Sequence, residues 1–249
     1  MSAHLLPVGP EIDASPARMP GDATLNGRFG SVERLSAKLH GPGLWQAMAG
    51  HDHIWTYIPV GPFGSPAAFA TYIEHCEANT ERIFYAVLDP ARRALGILAL
   101  MEIRPMMRVV EIGNIVYAPA LQRTSLATEA QYLIARYAFE TLGFRRYEWK
   151  CDALNAGSRR AAERYGFSYE GIFRQHMIIK GRNRDTAWFS MLDGEWPGRK
   201  AAFERWLAAD NFDARGRQKV SLLARSGVAG SSASACAVPA QTNARGLAS

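Results

Sequence analysis

The sequence predicts an α+β domain in which a central, mostly antiparallel sheet is flanked by helices. Two helical patterns come first, three β-rich segments follow in close succession, and a helix, a strand, a helix and a strand pair then alternate. With 249 residues, 48% of them apolar and 21% charged, the chain has the composition of a globular protein. A well-buried core needs only about 170 residues, so the remaining residues are free to form tails.

The first half of the domain contains two helices and an antiparallel meander. Helical spacing predicts helices over residues 35–48 and 66–78, and Ser65 and Pro66 suit the N-cap and first turn of the second helix. Segments rich in Val, Ile, Tyr and Phe predict strands over residues 82–88, 96–103 and 109–117. The short connection between the last two strands makes that pair antiparallel.

The second half begins with the most regular helical pattern in the chain. Apolar residues recur at helical spacing from Ala130 to Thr141, and Gly143 is placed to end that helix. Residues 146–152 alternate between apolar and charged side chains, as in a half-buried strand. The remaining predicted elements are a helix over residues 155–165, a strand pair over 167–179 and 185–192 around a turn at 180–183, and a short helix within 199–207.

The chain divides into four predicted regions. Residues 1–24 contain several prolines and no periodic pattern, which predicts a flexible N-terminal tail. Residues 25–195 carry the periodic elements and form the predicted folded domain, and residues 196–225 form a C-terminal helical extension. Residues 226–249 consist mostly of small and polar residues, which predicts a disordered low-complexity tail.

Charge and cysteine content narrow the classes of partner and compartment. Lysine and arginine number 29 against 23 acidic residues, and a basic surface favours a polyanionic partner such as nucleic acid or a phosphate-rich cofactor. Cys76, Cys151 and Cys236 have no metal-ligand spacing and are odd in number, so we predict neither a metal site nor a disulfide framework. The sequence has no apolar run of about 18 residues and no signal-like N-terminus, which predicts a cytoplasmic protein.

A loop of small and polar residues joins the strand that ends at Tyr117 to the long helix. The start of a helix presents unpaired backbone N–H groups and the positive end of the helix dipole, which favour a phosphate or pyrophosphate. Arg123 adds a positive charge, and Thr124, Ser125 and Thr128 add hydroxyl donors. An ordinary strand-to-helix turn capped by one of these hydroxyls explains the same pattern, and the loop alone does not decide between the two interpretations.

Two motifs in this order resemble the GCN5-related N-acetyltransferase (GNAT) family, most closely the RimJ/RimL-type branch that acetylates the N-termini of ribosomal proteins. The first motif is the loop followed by Ala-Thr-Glu-Ala and the long helix. The second is the run over residues 155–167 with Glu170-Gly171 just after it. The resemblance covers residues 25–195 and implies an N-acetyltransferase domain that uses acetyl-CoA as co-substrate and an amine as acceptor.

The resemblance also implies a GNAT fold, with one splayed parallel strand pair in the mostly antiparallel sheet. Strands 109–117 and 146–152 would form this pair, and the pantetheine arm of CoA would fill the gap as an extra strand. Gly113 lies inside the first of these strands, where a bulge or a close approach is expected. The family's pyrophosphate loop, Gln/Arg-x-x-Gly-x-Gly/Ala, maps onto residues 122–127, with Ser125 in place of a glycine. The implied cofactor-binding residues are Ile115, Val116, Tyr117, Gln122, Arg123, Thr124, Ser125, Leu126, Ala127, Thr128, Asn155 and Arg160.

Acetyl transfer to an amine requires a neutral amine, stabilisation of the charge that grows on the thioester oxygen, and a proton for the leaving thiolate. The resemblance assigns Ser158 to the thiol side, as hydrogen-bond donor or acid, although Asn155 and Ser158 are equally typical of an N-cap and first helical turn. Close relatives have a glutamate where this chain has Met177. The neighbouring His176 and the strand residue Glu111 are therefore both candidates for the base.

The acceptor pocket is expected between the two early helices, in a Gly/Pro-rich segment with clustered aromatic residues. Trp55, Tyr57 and Phe63 are the predicted pocket residues, although core packing beneath the segment explains them equally well.

Two other functions fit parts of the sequence. A nucleic-acid-binding module would use the arginines between residues 145 and 184, but these alternate with acidic residues and no known binding motif accompanies them. A sensor or interaction domain of the same fold would explain the departures at Ser125 and Met177. Under the enzyme hypothesis the acceptor is a protein N-terminus or a small amine, and a homodimer is the default expectation.

Overall fold

The computed structural model describes residues 6–222, and the chain within this range forms eight strands and five α-helices. The strands are β1 (Thr24–Asn26), β2 (Ser31–Arg34), β3 (Ile83–Leu88), β4 (Ala94–Arg104), β5 (Val109–Tyr117), β6 (Arg146–Asp152), β7 (Ser168–Ile179) and β8 (Arg182–Leu192). The helices are α1 (Ala37–Met48), α2 (Pro66–Ala78), α3 (Ser125–Arg136), α4 (Ala156–Arg164) and α5 (Trp196–Leu207). A π-helical turn, Tyr137–Thr141, continues α3. None of these helices is long and apolar enough to cross a membrane.

All eight strands belong to one sheet, in the order β1-β2-β3-β4-β5-β6-β8-β7. Every neighbouring pair is antiparallel except β5 and β6, which run parallel. A parallel pair needs a long crossover, and here that crossover contains α3. The predicted mixed sheet with a single parallel pair and flanking helices is thus confirmed.

Successive side chains along the central strands point to opposite faces of the sheet, so the core has two layers. Tyr85, Leu98 and Val110 face the layer that α3 and α5 cover. Phe84 and Ile97 face the layer that α1 and α2 cover. Helix α3 is buried on nearly all sides between the sheet and α5. Its first turn is therefore held firmly beside the end of β5.

The N-terminal edge of the sheet differs from the prediction. Strands β1 and β2 were not predicted, because three and four residues are too few to show a period. Part of the segment predicted as a tail, residues 1–24, lies against the domain. Ala17 is buried and its N–H donates to Pro105 O (3.1 Å), while the N–H of Arg18 donates to Leu142 O (2.8 Å). The predicted tail over residues 226–249 lies outside the described residues.

The last hairpin is tighter than the predicted turn of four residues. Lys180 and Gly181 both have positive φ angles, 50° and 70°, and they form a two-residue turn between Ile179 and Arg182. The left-handed conformation at both positions follows the right-handed twist of the strands, so pairing continues up to the turn. Strand β8 consequently begins three residues before the predicted start at Asp185.

A buried carboxylate ties the β1–β2 turn to α3. The side chain of Glu129 accepts hydrogen bonds from the backbone N–H groups of Arg28 and Phe29, both at 2.6 Å. Glu129 is 3% exposed, and a Cβ on Gly27 would lie 2.3 Å from its carboxyl carbon. The turn therefore closes over the carboxylate without room for a side chain at Gly27.

Replacement of Glu129 by alanine is expected to lower the free energy of unfolding by about 2–4 kcal/mol, because it leaves two partly buried N–H groups without their charged acceptor. Urea unfolding of the two proteins measures the difference, and the slope with denaturant should stay the same. Glu129→Gln, which keeps an acceptor oxygen, is the matched control and should lose less. Equal stability of the alanine variant and the unmodified chain would contradict this account.

Candidate active site

Strands β5 and β6 pair over only four residues each and then part. The paired registers run from Val109 opposite Arg146 to Ile112 opposite Trp149. Beyond that point β5 continues to Tyr117 and β6 continues to Asp152 without pairing with each other. The facing edges carry backbone N–H and C=O groups that the sheet does not use, which suits an extended ligand inserted between them.

A bulge in β5 lies where the two strands part. The register with β4 shifts between Ile97 and Ala99, and Asn114 has a left-handed φ of 47°. Gly113, next to it, approaches β4 closely: a Cβ there would lie 2.5 Å from Met101 Sδ. The predicted bulge or close approach at Gly113 is thus found as both: a close approach at Gly113 and a bulge at Asn114. The bulge bends β5.

The start of α3 presents free backbone donors beside the gap. Thr124 caps the helix, and its Oγ1 accepts a hydrogen bond from the N–H of Ala127 at 3.1 Å. Among residues 6–222, the backbone N–H groups of Arg123, Ser125 and Leu126 have no acceptor. Arg123 takes the left-handed conformation, with φ of 62°, whereas Ser125 is already helical. The missing glycine at position 125 therefore introduces no backbone strain.

A cavity of about 860 Å³ extends from the gap across the start of α3, and we call it the basic cavity. Four arginines line it, and no aspartate or glutamate does so in the described part of the chain: Arg123, Arg160, Arg164 and Arg217. Such a one-sided charge distribution attracts a polyanion. Ten of the residues predicted to bind the cofactor line this cavity: Ile115, Tyr117, Gln122, Arg123, Thr124, Ser125, Ala127, Thr128, Asn155 and Arg160. The side chains of the other two, Val116 and Leu126, are buried in the core layers instead.

A second cavity of about 500 Å³ lies on the other side of the gap, and we call it the central cavity. Ser158, His176 and Glu111, the predicted catalytic residues, all line it. The two cavities share four lining residues: Ile115, Trp149, Asn155 and Ser158. The parted strands thus form the junction between a basic cavity and a cavity that collects the candidate catalytic side chains.

Ser158 lies at this junction, in the first turn of α4. The side chain of Asn155 caps α4 by accepting from the N–H of Ser158 at 3.0 Å. The indole N–H of Trp149 donates to Ser158 Oγ at 2.9 Å. Burial raises the pKa of the neighbouring Cys151 thiol, and its hydrogen bond with Ser158 offsets part of that rise. The hydroxyl of Ser158 therefore lies between the Trp149 indole and the Cys151 thiol, beside the gap.

A buried ionic group holds β5 and β6 together just before they part. Glu111 and Glu148 lie directly opposite each other in the parallel pair, and Lys150 Nζ bridges them at 2.9 and 3.0 Å. Burial raises the pKa of Glu111 above its ordinary value of 4.5 and outweighs the attraction of Lys150. Burial acts on Glu148 in the same direction, but hydrogen bonds from Arg146 and Lys150 outweigh it and lower its pKa.

His176 faces the central cavity from the edge strand β7. Its Nδ1 lies 2.9 Å from Thr186 Oγ1, and its Nε2 has no partner among residues 6–222. The ring lies beside Trp188, which also lines the cavity and carries the Lys150 ammonium 4.0 Å above its own ring. Of the two candidate bases, His176 thus has a free ring nitrogen, whereas the carboxylate of Glu111 is paired with the Lys150 ammonium through Oε2.

The predicted acceptor pocket needs a correction. Tyr57 lines the central cavity, but Trp55 and Phe63 do not. Their rings pack edge to face at 5.1 Å and join Phe69 and Tyr72 in the core layer beneath the loop. Core packing, the alternative interpretation of these aromatic residues, therefore applies to both.

Two groups of site residues were not predicted. Lys150 was assigned to the solvent face of a half-buried strand, but its side chain is only 10% exposed and its ammonium bridges two carboxylates. Trp206, Phe212 and Arg217 belong to the C-terminal extension and form a wall of the basic cavity. No local pattern indicates either placement, because each depends on contacts between segments far apart in sequence.

The fold and the site together define a class of protein: an acetyltransferase domain, in which a helix with free N–H groups begins beside a parted parallel strand pair. Comparison with known proteins agrees, since the model of the acetyltransferase (GNAT) domain matches residues 34–168. The chain belongs to the GNAT acetyltransferase family, whose co-substrate is acetyl-CoA.

Solved structures of this family superpose closely on the chain. A GCN5-related N-acetyltransferase from Brucella melitensis is 44% identical with a TM-score of 0.84, over 86% of this chain and 98% of the other. A GNAT-family protein from Chromobacterium violaceum ATCC 12472 is 42% identical with a TM-score of 0.72, over 79% of this chain and 100% of the other. Among curated proteins, "Putative ribosomal N-acetyltransferase YdaF" of Bacillus subtilis (strain 168) is 31% identical over 105 residues. That match covers 42% of this chain and spans only 57% of the relative's length.

The raised pKa of Glu111 predicts a specific pH dependence of stability. Folded Glu111 binds its proton more tightly than the unfolded chain does, so its contribution is complete below pH 4.5 and is lost as the pH rises through the folded pKa. The unfolding free energy of the unmodified chain minus that of Glu111→Gln should fall with rising pH, by about 1.4 kcal/mol per pH unit between the two pKa values.

Urea unfolding from pH 4.5 to about pH 8 measures this difference. Glu148→Gln is the matched control, because the lowered pKa of Glu148 predicts a level difference over this range and a decrease only at lower pH. If the difference in unfolding free energy between the unmodified chain and Glu111→Gln does not change with pH, the raised pKa of Glu111 is contradicted.

Proposed function

We propose that the protein transfers an acetyl group from acetyl-CoA directly to a primary amine, which belongs to a protein N-terminus or to a small molecule. One observation carries this proposal: the basic cavity and the central cavity meet at the gap between β5 and β6. A thioester bound along the basic cavity would reach the gap with its acyl end. An amine in the central cavity would then approach it from the opposite side.

The basic cavity offers suitable groups for each part of acetyl-CoA. The N–H groups at the start of α3 and the guanidinium of Arg123 would bind the pyrophosphate. The unpaired edge of β5 around Ile115 would bind the pantetheine amides, as an edge strand binds an added strand. Asn155 lines both cavities and would contact the same arm nearer the thioester.

The central cavity offers a proton acceptor for the amine. An α-amine has an ordinary pKa of about 8 and is partly neutral near pH 7, whereas a lysine side-chain amine, near 10.4, is mostly charged. We propose His176 as the base, because its Nε2 is unengaged, whereas Lys150 engages the carboxylate of Glu111. Glu111 then acts on the site through Lys150, whose ammonium it holds beside the central cavity.

Ser158 would complete the reaction on the sulfur side. As the carbon–sulfur bond breaks, charge grows on the leaving sulfur, and a positioned hydroxyl donor stabilises it. The indole of Trp149 donates to the oxygen of Ser158, and the hydroxyl hydrogen would turn from the Cys151 thiol to the sulfur of the thioester. Ser158 thus supports the release of CoA, while His176 accepts the proton of the amine.

The rim of the central cavity supports a chain end as the preferred acceptor. Tyr57 and Met177 line this cavity and are 37% and 39% exposed, so the cavity opens to solvent beside them. A polypeptide N-terminus can enter through such an opening while the rest of the substrate stays outside. The Bacillus subtilis relative is named a putative ribosomal N-acetyltransferase, which supports a protein acceptor. Small amines are the second acceptor class.

The two competing functions have less support. The sensor hypothesis depended partly on Ser125, whose helical conformation leaves the start of α3 open to a phosphate. The nucleic-acid hypothesis depended on arginines, several of which are engaged within the protein: Arg146 with Glu148 and Glu170, Arg164 with Thr128, and Arg184 with Thr186.

An acetyl-CoA-dependent thiol-release assay tests the proposal, with peptides bearing free or blocked N-termini and with small amines as acceptors. Free N-termini should give the highest turnover. Ser158→Ala should lower kcat about 10²-fold or more while the Kd for acetyl-CoA changes little, because the hydroxyl acts mainly in the transition state. Calorimetric binding of acetyl-CoA without turnover of any amine would favour the sensor, and no binding would exclude both.

His176→Gln is expected to lower kcat/KM about 10²-fold at neutral pH, because the amine loses its proton acceptor. The loss should shrink as the pH rises, since more of the amine is then neutral before it binds. Pre-steady-state or steady-state rates from about pH 6.5 to 9.5 measure the trend. A loss that is constant across this range, as expected for Ser158→Ala, would argue against the role of His176.

A further inference from the structure

The C-terminal extension forms one wall of the basic cavity, although it lies beyond the acetyltransferase domain proper. We infer that residues 206–218 bind the nucleotide end of the co-substrate, with Arg217 recognising the 3′-phosphate of its adenosine. The inference rests on the proposed use of acetyl-CoA and adds a binding surface to it.

The extension is a closed and internally bonded structure. The indole N–H of Trp206 donates to Gln218 Oε1 at 2.7 Å, and Phe212 forms a β-bridge with Gln218. Asn211 fastens the base of this loop, since its Nδ2 donates to Trp206 O at 2.9 Å and its Oδ1 accepts from the N–H of Val220 at 3.0 Å. Residues 206–218 can therefore present a fixed surface to a ligand.

Arg164 connects this surface to the helix start. Its Nη1 donates to Thr128 Oγ1, in the first turn of α3, at 3.0 Å. Its guanidinium also lies 5.1 Å from the ring of Trp206. The extension therefore adjoins the site where the α3 N–H groups favour a pyrophosphate, and a single cavity contains the gap, the helix start and the extension.

The order of groups in CoA then fixes what occupies the extension. The pantetheine arm, the pyrophosphate and the adenosine 3′-phosphate follow one another along the molecule. With the arm in the gap and the pyrophosphate at α3, the nucleotide continues along the remaining wall, which residues 206–218 supply. Phe212 offers a partly buried aromatic side chain to the adenosine, and aromatic side chains commonly bind bases by stacking.

Charge supports the same assignment. A phosphomonoester carries about −1.5 to −2 charges at pH 7 and binds guanidinium groups through paired hydrogen bonds. Arg217 donates from Nε to Asp213 Oδ2 at 2.8 Å, which orients the guanidinium and leaves its terminal nitrogens for a ligand. Arg217 lines the cavity, whereas Arg215, two residues earlier in the same turn, does not.

Isothermal titration of the full chain with three ligands tests the inference: CoA, 3′-dephospho-CoA and 4′-phosphopantetheine. The unmodified chain should bind CoA about tenfold more tightly than dephospho-CoA. Arg217→Gln should remove most of this preference while its affinity for 4′-phosphopantetheine stays the same. Arg215→Gln, the matched control for charge and position, should keep the preference. Phe212→Ala should weaken binding of both nucleotide-bearing ligands and leave 4′-phosphopantetheine unaffected.

The inference is overturned if Arg217→Gln retains the full preference for the 3′-phosphate, or if Arg215→Gln loses it equally. Thermal unfolding without ligand shows whether any variant has lost its fold. The 4′-phosphopantetheine titration shows whether the gap between β5 and β6 still binds the pantetheine arm. The proposed function fails separately: absence of acetyl-CoA binding by the unmodified chain would refute it. Normal acetyl transfer with no effect of the extension variants would refute the present inference alone.

Discussion

The parting of β5 and β6 is the constraint on which the rest of the structure depends. Two parallel strands that paired along their whole length would use every backbone group on the facing edges and leave no space between them. Pairing instead stops at Ile112 and Trp149, and a bulge at Asn114 bends one strand. The cavities on the two sides of the sheet can therefore meet, and the start of α3 lies beside the opening.

The pair of positions before the last one explains how the sheet tolerates this parting. Glu111 and Glu148 are opposite each other, and two like charges in register repel. Lys150 removes that repulsion by bridging both carboxylates, so the strands are held by an ionic group at the point where backbone pairing ends. Removal of a single member would leave a buried charge without its partner, which is why such groups act as a unit.

The fold was predictable from the sequence wherever a period extended over several turns or residues. The bounds of α2, β5 and β6 agree with the predicted ranges, and Asn155 and Ser158 from the second motif line both cavities. Local patterns could not indicate what depends on distant segments: the burial of Lys150, the packing of Trp55 in the core, or the approach of the C-terminal extension to α3. In each case the side chain has an ordinary local context and its role comes from a neighbour far away in sequence.

The two cavities share only four lining residues. Selectivity for the acyl donor and selectivity for the amine acceptor therefore depend on largely different side chains. Side chains around the central cavity, such as Tyr57 and Met177, have no part in the basic cavity. Divergence among duplicated copies of such a domain could therefore alter which molecule is modified while the source of the acyl group stays the same.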